Sequence, residues 1–205
     1  MLNRLATIAS TLLLSACSVI GVRSGTEEPR FDVLGTEAGL EIRRYAPRLA
    51  AETTIAGDEA AARSEGFSRL ARYIFGGNQG SSRIAMTAPV AQDSTRIAMT
   101  APVAQDSTAE GYRIRFFLPA TLLDPPVPLD ARVAVVEVAA DTVAVLRFTG
   151  LPSPQAVADA RARLTAALPA TRWIAGGEVV AWFYDPPWTI PALRRNEVAV
   201  PVVAR

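Results

Sequence analysis

Histidine and lysine are absent from this 205-residue chain, and cysteine occurs once. Without histidine there is no imidazole general base, no Ser–His or Cys–His dyad, and no His-ligated zinc or haem iron. Without lysine there is no Schiff-base chemistry and no P-loop lysine. A single cysteine allows neither an internal disulfide nor a thiolate metal cluster. Charge of one sign is not in excess either. The 21 basic residues, all arginine, face 20 acids, so the basic surplus that neutralises phosphates is lacking and no nucleic-acid partner is expected. Catalysis would have to rest on carboxylates, hydroxyls, tyrosine or arginine. Glu41, Glu52, Asp58 and Glu59 are scattered over separate elements, and no acidic run has the spacing of a calcium loop. Gly76-Gly77-Asn78-Gln79-Gly80 lacks the lysine and the following helix of a phosphate loop. The chain reads as a non-enzyme.

What is present begins with hydrophobicity. Half of the residues are hydrophobic and a fifth are charged, which suits one domain with a sizeable core. Residues 1–16 read as a signal peptide. A positive Met1–Arg4 precedes the apolar Leu5–Leu14, and Leu14-Ser15-Ala16-Cys17 follows. The apolar stretch is too short to span a bilayer as a stable helix. Small residues ending at a cysteine resemble a bacterial lipobox. That resemblance implies cleavage before Cys17, lipidation of its thiol, and a membrane-anchored chain in the cell envelope, facing periplasm or exterior. Residues 17–30 read as a polar tether, and 31–205 as the domain.

Alternating and helical periodicities then place the elements. Phe31–Gly35, Leu40–Tyr45 and Arg48–Ala56 are predicted as a small antiparallel meander. Asp58 is the expected N-cap of a helix reaching Phe75, with Phe67, Leu70 and Ile74 on one face. Strands are predicted at Ile84–Val90 and Tyr112–Leu118. In the latter, Tyr112, Ile114, Phe116 and Leu118 lie opposite Arg113, Arg115 and Phe117. Val133–Val138 and Thr142–Phe148 form an expected hairpin. Ser153-Pro154 opens a second helix, striped with Val157, Ala160, Leu164 and Leu168. Val179–Tyr184 and Val198–Val203 are the last strands, with Pro201 suited to an edge. The fold class is α+β: two helices on one mainly antiparallel sheet, with an internal pseudo-twofold in the element order.

One segment breaks this rhythm. Arg83–Thr95 reads RIAMTAPVAQDST, and Arg96–Thr108 repeats it without a difference. Two copies are too few for a solenoid, so a duplication of coding sequence is the preferred account. Thirteen is odd, and running both copies through one strand would swap its faces. One copy is therefore expected in the strand and the other outside it. The second is favoured for the strand, because it sits closest to Tyr112 and closes a shorter loop.

Trp182, Tyr184 and Trp188 cluster around Tyr184-Asp185-Pro186-Pro187-Trp188, and Arg194-Arg195-Asn196 follows. Aromatic walls with a cationic rim suit a flat apolar ligand bearing carboxylates, although aromatics in a core and arginines over a surface would give the same pattern. The specific carriers are Leu70-Ala71-Arg72-Tyr73-Ile74 with Gly77-Asn78, Ile84-Ala85-Met86-Thr87-Ala88-Pro89-Val90, Arg115-Phe116-Phe117-Leu118-Pro119, Asp124-Pro125-Pro126, and Tyr184-Asp185-Pro186-Pro187 with Arg194-Arg195-Asn196-Glu197. In these blocks the chain resembles the SOUL family of haem-binding proteins, from about Phe31 to Val203. The resemblance implies a distorted, mainly antiparallel β-barrel or sheet with two helices and an internal pseudo-twofold repeat, and a haem or porphyrin ligand in an apolar pocket beside the first helix. On it, Arg63, Phe67, Leu70, Ile74, Met86, Met99, Trp188 and Arg194 are the expected ligand contacts, with Arg63 reaching a propionate. An iron ligand, if any, would be Met, Tyr or water. The alternative is an interaction or envelope-stress protein with a vestigial pocket; an enzyme acting on tetrapyrroles is disfavoured by the missing His and Lys.

Overall fold

The computed structural model describes residues 26–96 and 110–205. Ten antiparallel strands form one sheet, curled into an open half-barrel, with two helices on its convex face. The strands are β1 (Phe31–Glu37), β2 (Leu40–Tyr45), β3 (Arg48–Ala56), β4 (Val90–Arg96), β5 (Glu110–Phe117), β6 (Ala134–Val138), β7 (Asp141–Phe148), β8 (Trp173–Ala175), β9 (Val180–Phe183) and β10 (Asn196–Ala204). The helices are α1 (Glu59–Ile74) and α2 (Pro154–Ala167). Their order across the sheet is β1-β2-β7-β10-β9-β4-β5-β3-β6, with β8 added beside β10.

The pseudo-twofold is visible in this order. β9 and β4 pair antiparallel at the centre. On one side stand β4-β5-β3, on the other β9-β10-β7. In each half a strand leads into a helix and the chain returns as two central strands, β3-α1-β4-β5 and β7-α2-β9-β10, with the short β8 inserted between α2 and β9 in the second half.

Local chemistry sets the helix starts as expected. The Asp58 carboxylate accepts from the N–H groups of Ala60 and Ala61, each at 2.9 Å, satisfying donors that no helical carbonyl reaches. Ser153 Oγ accepts from Ala156 N at 3.2 Å, and Pro154 occupies the first turn, where no donor is needed. Gly76, at φ 114°, ends α1 in a conformation that side chains disfavour.

Four expectations are corrected. β3 does not join β1 and β2 in a meander; it pairs with β5 and β6 on the far side of the sheet, while β2 pairs with β7. Ile84–Val90 is not a strand. The ladder starts at Val90, because Pro89 has no N–H to offer it. Residues 84–89 are held instead by Ile84 N donating to Ile74 O and Ala88 N donating to Glu27 O. Pro201 is not on an edge: β10 lies between β7 and β9. It is tolerated because β9 pairs only as far as Ala199 and β8 takes over from Val202, leaving a gap at Pro201. Finally, the first copy of the repeat supplies the strand, with Val90–Thr95 laddered to β5 and Val90–Gln92 to β9. That copy keeps the short connection from α1. Nearly all of the second copy lies outside the described residues.

Apolar residues divide by face. Under α1, Leu70, Tyr73 and Ile74 meet Ala51, Ile114 and Phe116. Under α2, Val157, Ala160 and Leu164 meet Leu40, Ile42, Val198 and Val200. A third cluster, with Tyr45, Ala50, Phe117, Val143, Trp182 and Ala199, lies on the opposite, concave face.

Candidate functional site

Strand alternation decides which side chains reach the concave face. In β5, Tyr112, Ile114 and Phe116 turn toward α1, and Phe117 belongs to the concave cluster with Arg113 and Arg115 beside the groove there. Matching residues from β3, β4, β7, β9 and β10 complete a groove of about 300 Å³. Its floor is apolar: Ala91, Phe117, Val143, Val180, Trp182 and Ala199. Its rim is ionic. Arg113 Nε donates to Asp93 Oδ1 at 3.2 Å and Arg113 Nη2 to Asp93 Oδ2. Arg115 Nε donates to Glu52 at 2.6 Å, and Arg48 Nη1 donates to Asp141 at 2.9 Å.

These pairs leave guanidinium donors in hand. Arg115 uses Nε on Glu52, so its two Nη groups remain for a ligand carboxylate, and a guanidinium has five N–H donors in all. The Arg48 guanidinium lies 4.9 Å from the Phe117 ring centre and 4.6 Å from that of Tyr45, and its Nε is buried without a partner. Among the described residues the lining contains no His, Cys, Met or Tyr, so these residues supply none of the usual axial ligands to a haem iron. An apolar floor with spare rim donors suits one edge of a macrocycle and its carboxylates.

Beside the groove, the concave face is closed by a buried charge network. Glu197 has no exposure. It accepts from Arg43 Nη1 at 2.7 Å, Arg43 Nη2 at 3.0 Å, the Tyr184 hydroxyl at 2.7 Å and Arg195 Nε at 2.9 Å. Burial alone would raise the Glu197 carboxyl; the Arg43 hydrogen bonds and charge outweigh it and hold the group below its ordinary value. Tyr184 is pushed well up, first by burial and then by the neighbouring Glu197 charge. The N-terminal approach covers this network: Glu28 pairs with Arg195 at 3.0 Å, and Phe31 packs on Tyr45 with ring centres 5.2 Å apart. Among the described residues, contacts with the domain reach back to Glu27, inside the stretch expected to be tether.

The residues predicted from sequence are not gathered into one pocket. Leu70 and Ile74 are 0 % and 2 % exposed and pack on the sheet. The buried arc of α1 is centred on Gly66 and Tyr73, so Phe67 falls at its margin, 39 % exposed, edge-on to Phe116. Arg63 donates to Gln92 Oε1 and to Pro152 O, both at 2.8 Å, and lies over the Phe183 ring. Met86 is surface-exposed on the connection to β4. Arg194 clasps its own loop through Thr189 O and Pro187 O, from which Trp188 projects, 64 % exposed. Met99 and Cys17 lie outside the described residues. Sequence reasoning missed Arg48, Arg113, Arg115 and Val143 as groove residues. The alternation of β5 carried the signal for two of them: a strand with its apolar set on one face and Arg, Arg and Phe on the other.

The family model described as "SOUL heme-binding protein" matches residues 26–201. The chain belongs to this haem-binding family. A search of curated proteins finds no match. Among solved structures, the EcmrR C-terminal domain is similar with a TM-score of 0.58 at 9 % identity, covering 81 % of this chain and 98 % of that one. An uncharacterised conserved protein from Listeria innocua follows with a TM-score of 0.54 at 12 % identity, covering 82 % and 94 %. A protein described as a hydrolase from Listeria innocua has a TM-score of 0.52 at 11 % identity, covering 83 % and 94 %. At these identities the likeness speaks for the fold alone. Among the described residues no group of three His, Cys, Asp or Glu could hold a metal ion, and no helix is long and apolar enough to cross a membrane.

Proposed function

We propose that this chain is a membrane-anchored envelope protein that binds haem or a related tetrapyrrole in the concave groove, without a histidine ligand. The observation that carries the site is the pairing of an apolar floor, centred on Phe117, Val143 and Trp182, with the rim arginines Arg48, Arg113 and Arg115. A macrocycle edge laid on that floor removes apolar area from water, and its carboxylates meet guanidinium forks in charge-assisted hydrogen bonds. The family match supports the ligand class. The apolar stretch before Cys17 supports the anchor.

Titration of the protein with haemin tests the site. Val143→Glu places a charge on the floor and is expected to abolish binding. Arg115→Ala removes a carboxylate partner and is expected to weaken binding by about 1–3 kcal/mol. Phe67→Asp, on the opposite face of the sheet, is expected to leave binding unchanged. Loss of binding in Phe67→Asp with retention in Val143→Glu would assign the ligand to the flank of α1 instead. Cys17→Ser is expected to release the protein from the membrane fraction; wild-type protein found wholly soluble with an unmodified Cys17 would overturn the anchor.

A further inference from the structure

The starts of β4 and β10 and the ends of β5, β7 and β9 all lie at one end of the sheet, since Val90 faces Phe116 and Phe183, and Asn196 faces Phe183 and Phe148. Four connections therefore meet there: 75–89, 118–133, 149–153 and 184–195. They carry nine of the thirteen large hydrophobic side chains that are exposed among the described residues. Leu123 is 86 % exposed, Leu129 67 % and Trp188 64 %, with Val127, Ile190 and Leu193 nearby in sequence and also exposed. Single exposed hydrophobics are ordinary, but this concentration at one end is not.

These connections also suit a medium poor in water. Residues 186–193 (PPWTIPAL) carry no charge, and Asp124 is the one charge between Pro119 and Leu129. Seven prolines in connections 118–133 and 184–195 (119, 125, 126, 128, 186, 187 and 191) remove backbone donors that would otherwise lose hydration. Several of the remaining donors are satisfied within the protein: Leu129 N donates to Gly77 O, Thr189 N to Pro186 O, and Leu193 N to Ile190 O. Gly150 N donates to Pro191 O and so ties two of the connections together.

The chain enters the fold at this same end. Glu27 bridges to Thr87, accepts from Ala88 N through its backbone carbonyl, and accepts from Ala120 N through its carboxylate. Nine residues separate Cys17 from Glu27, ten Cα-to-Cα steps with a reach of at most about 35 Å when fully extended. We infer that this end of the half-barrel docks on the lipid bilayer, with Trp188 and the Leu123–Leu129 connection entering the headgroup region. The inference rests on the reading that Cys17 is lipidated, because a short anchor joined to this end holds the apolar connections against the membrane. Tryptophan beside aliphatic residues is the composition that favours the interface.

Tryptophan fluorescence of the full chain tests the docking. Trp173 and Trp182 are buried and Trp188 is not, so lipid quenching reports Trp188. The full chain is purified from membranes, its Cys17 adduct is read by mass spectrometry, and it is reconstituted in phosphatidylethanolamine–phosphatidylglycerol vesicles with brominated acyl chains. Docking is expected to quench the emission and shift it to the blue. Bromines near the headgroups should quench more than bromines at the bilayer centre, since an interfacial segment sits about 5–10 Å deep. Trp188→Ser should lose the quenching. Lipidated protein whose Trp188 emission stays red and unquenched would overturn the docking and leave the patch to a protein partner or to water. If Cys17 proves unmodified, the anchor reading fails by itself, and the same vesicles added to the unmodified chain decide the docking: quenching supports it and its absence overturns it.

Discussion

Glu197 shows how much one residue can depend on its neighbours. Four hydrogen bonds reach its carboxylate with no solvent exposure. Removing it leaves Arg43 buried with only Glu41, and Arg195 with only Glu28, as counter-ions, so Glu197→Ala is expected to cost about 3–5 kcal/mol of stability, measured by denaturant unfolding. The same network shapes the pH profile. Because the native Glu197 carboxyl lies below its ordinary value, the unfolded chain takes up this proton first as pH falls. Its contribution is complete above about pH 4.3 and is lost as pH drops through the native value. Tyr184 is raised, so its contribution holds below about pH 10 and is lost as pH rises beyond that. Thermal melts should be level between these limits and fall outside them, and Glu197→Ala should flatten the acid limb. Gly66 makes a different point. A Cβ there would lie 2.4 Å from Cγ1 of Ile114, a stiff, fully buried side chain. Gly66→Ala should therefore destabilise the protein by about 1–3 kcal/mol despite the better helix propensity of alanine. A raised melting temperature would contradict this packing.

At the scale of elements, the duplicated segment offers the clearest test. Deleting Arg83–Thr95 or Arg96–Thr108 gives one and the same polypeptide. In the observed register Thr95 faces Gly111, so the shortened chain closes β4 and β5 with Ala109 and Glu110 as a two-residue hairpin loop. The shorter loop lowers the entropy of closure, by about 0.6 kcal/mol for each halving of length. The deleted protein is expected to fold, to bind ligand like the parent, and to melt at an equal or higher temperature. Unfolding or loss of binding would show that both copies are structural. The boundaries of α1, β2 and β3 and the start of α2 were legible in the sequence because caps, glycines and prolines act locally. The partner of β3 was not legible, because pairing is a long-range choice and Pro47 only tells the chain to turn, not where to go.

At the scale of the whole molecule, a groove whose described lining holds no usual iron ligand leads to a prediction about selectivity. With affinity drawn from apolar burial and rim arginines, metal-free protoporphyrin is expected to bind within about tenfold of haemin, a difference of about 1.4 kcal/mol. Parallel titrations followed by Trp182 quenching check this. A preference for haemin of a thousandfold would reveal a protein–iron bond that the groove residues do not account for.

The sequence by itself determined what chemistry is open to this protein. A chain without His or Lys and with one Cys has few ways to ligate a metal or attack a substrate. Its periodicities also determined the α+β class, the helix starts and the two faces of β5, since these follow from neighbours a few residues apart. Tertiary structure decided which face became the groove. Both helices cover the convex side, so the residues of α1 that resemble pocket lining, Leu70 and Ile74, are used to bind the helix to the sheet. Arg48, Arg113, Arg115, Val143 and Trp182 come from four strands far apart in the chain and meet only because the sheet curls. Curling and strand order arise from the twist and from non-local pairing, and no local pattern along the chain records them.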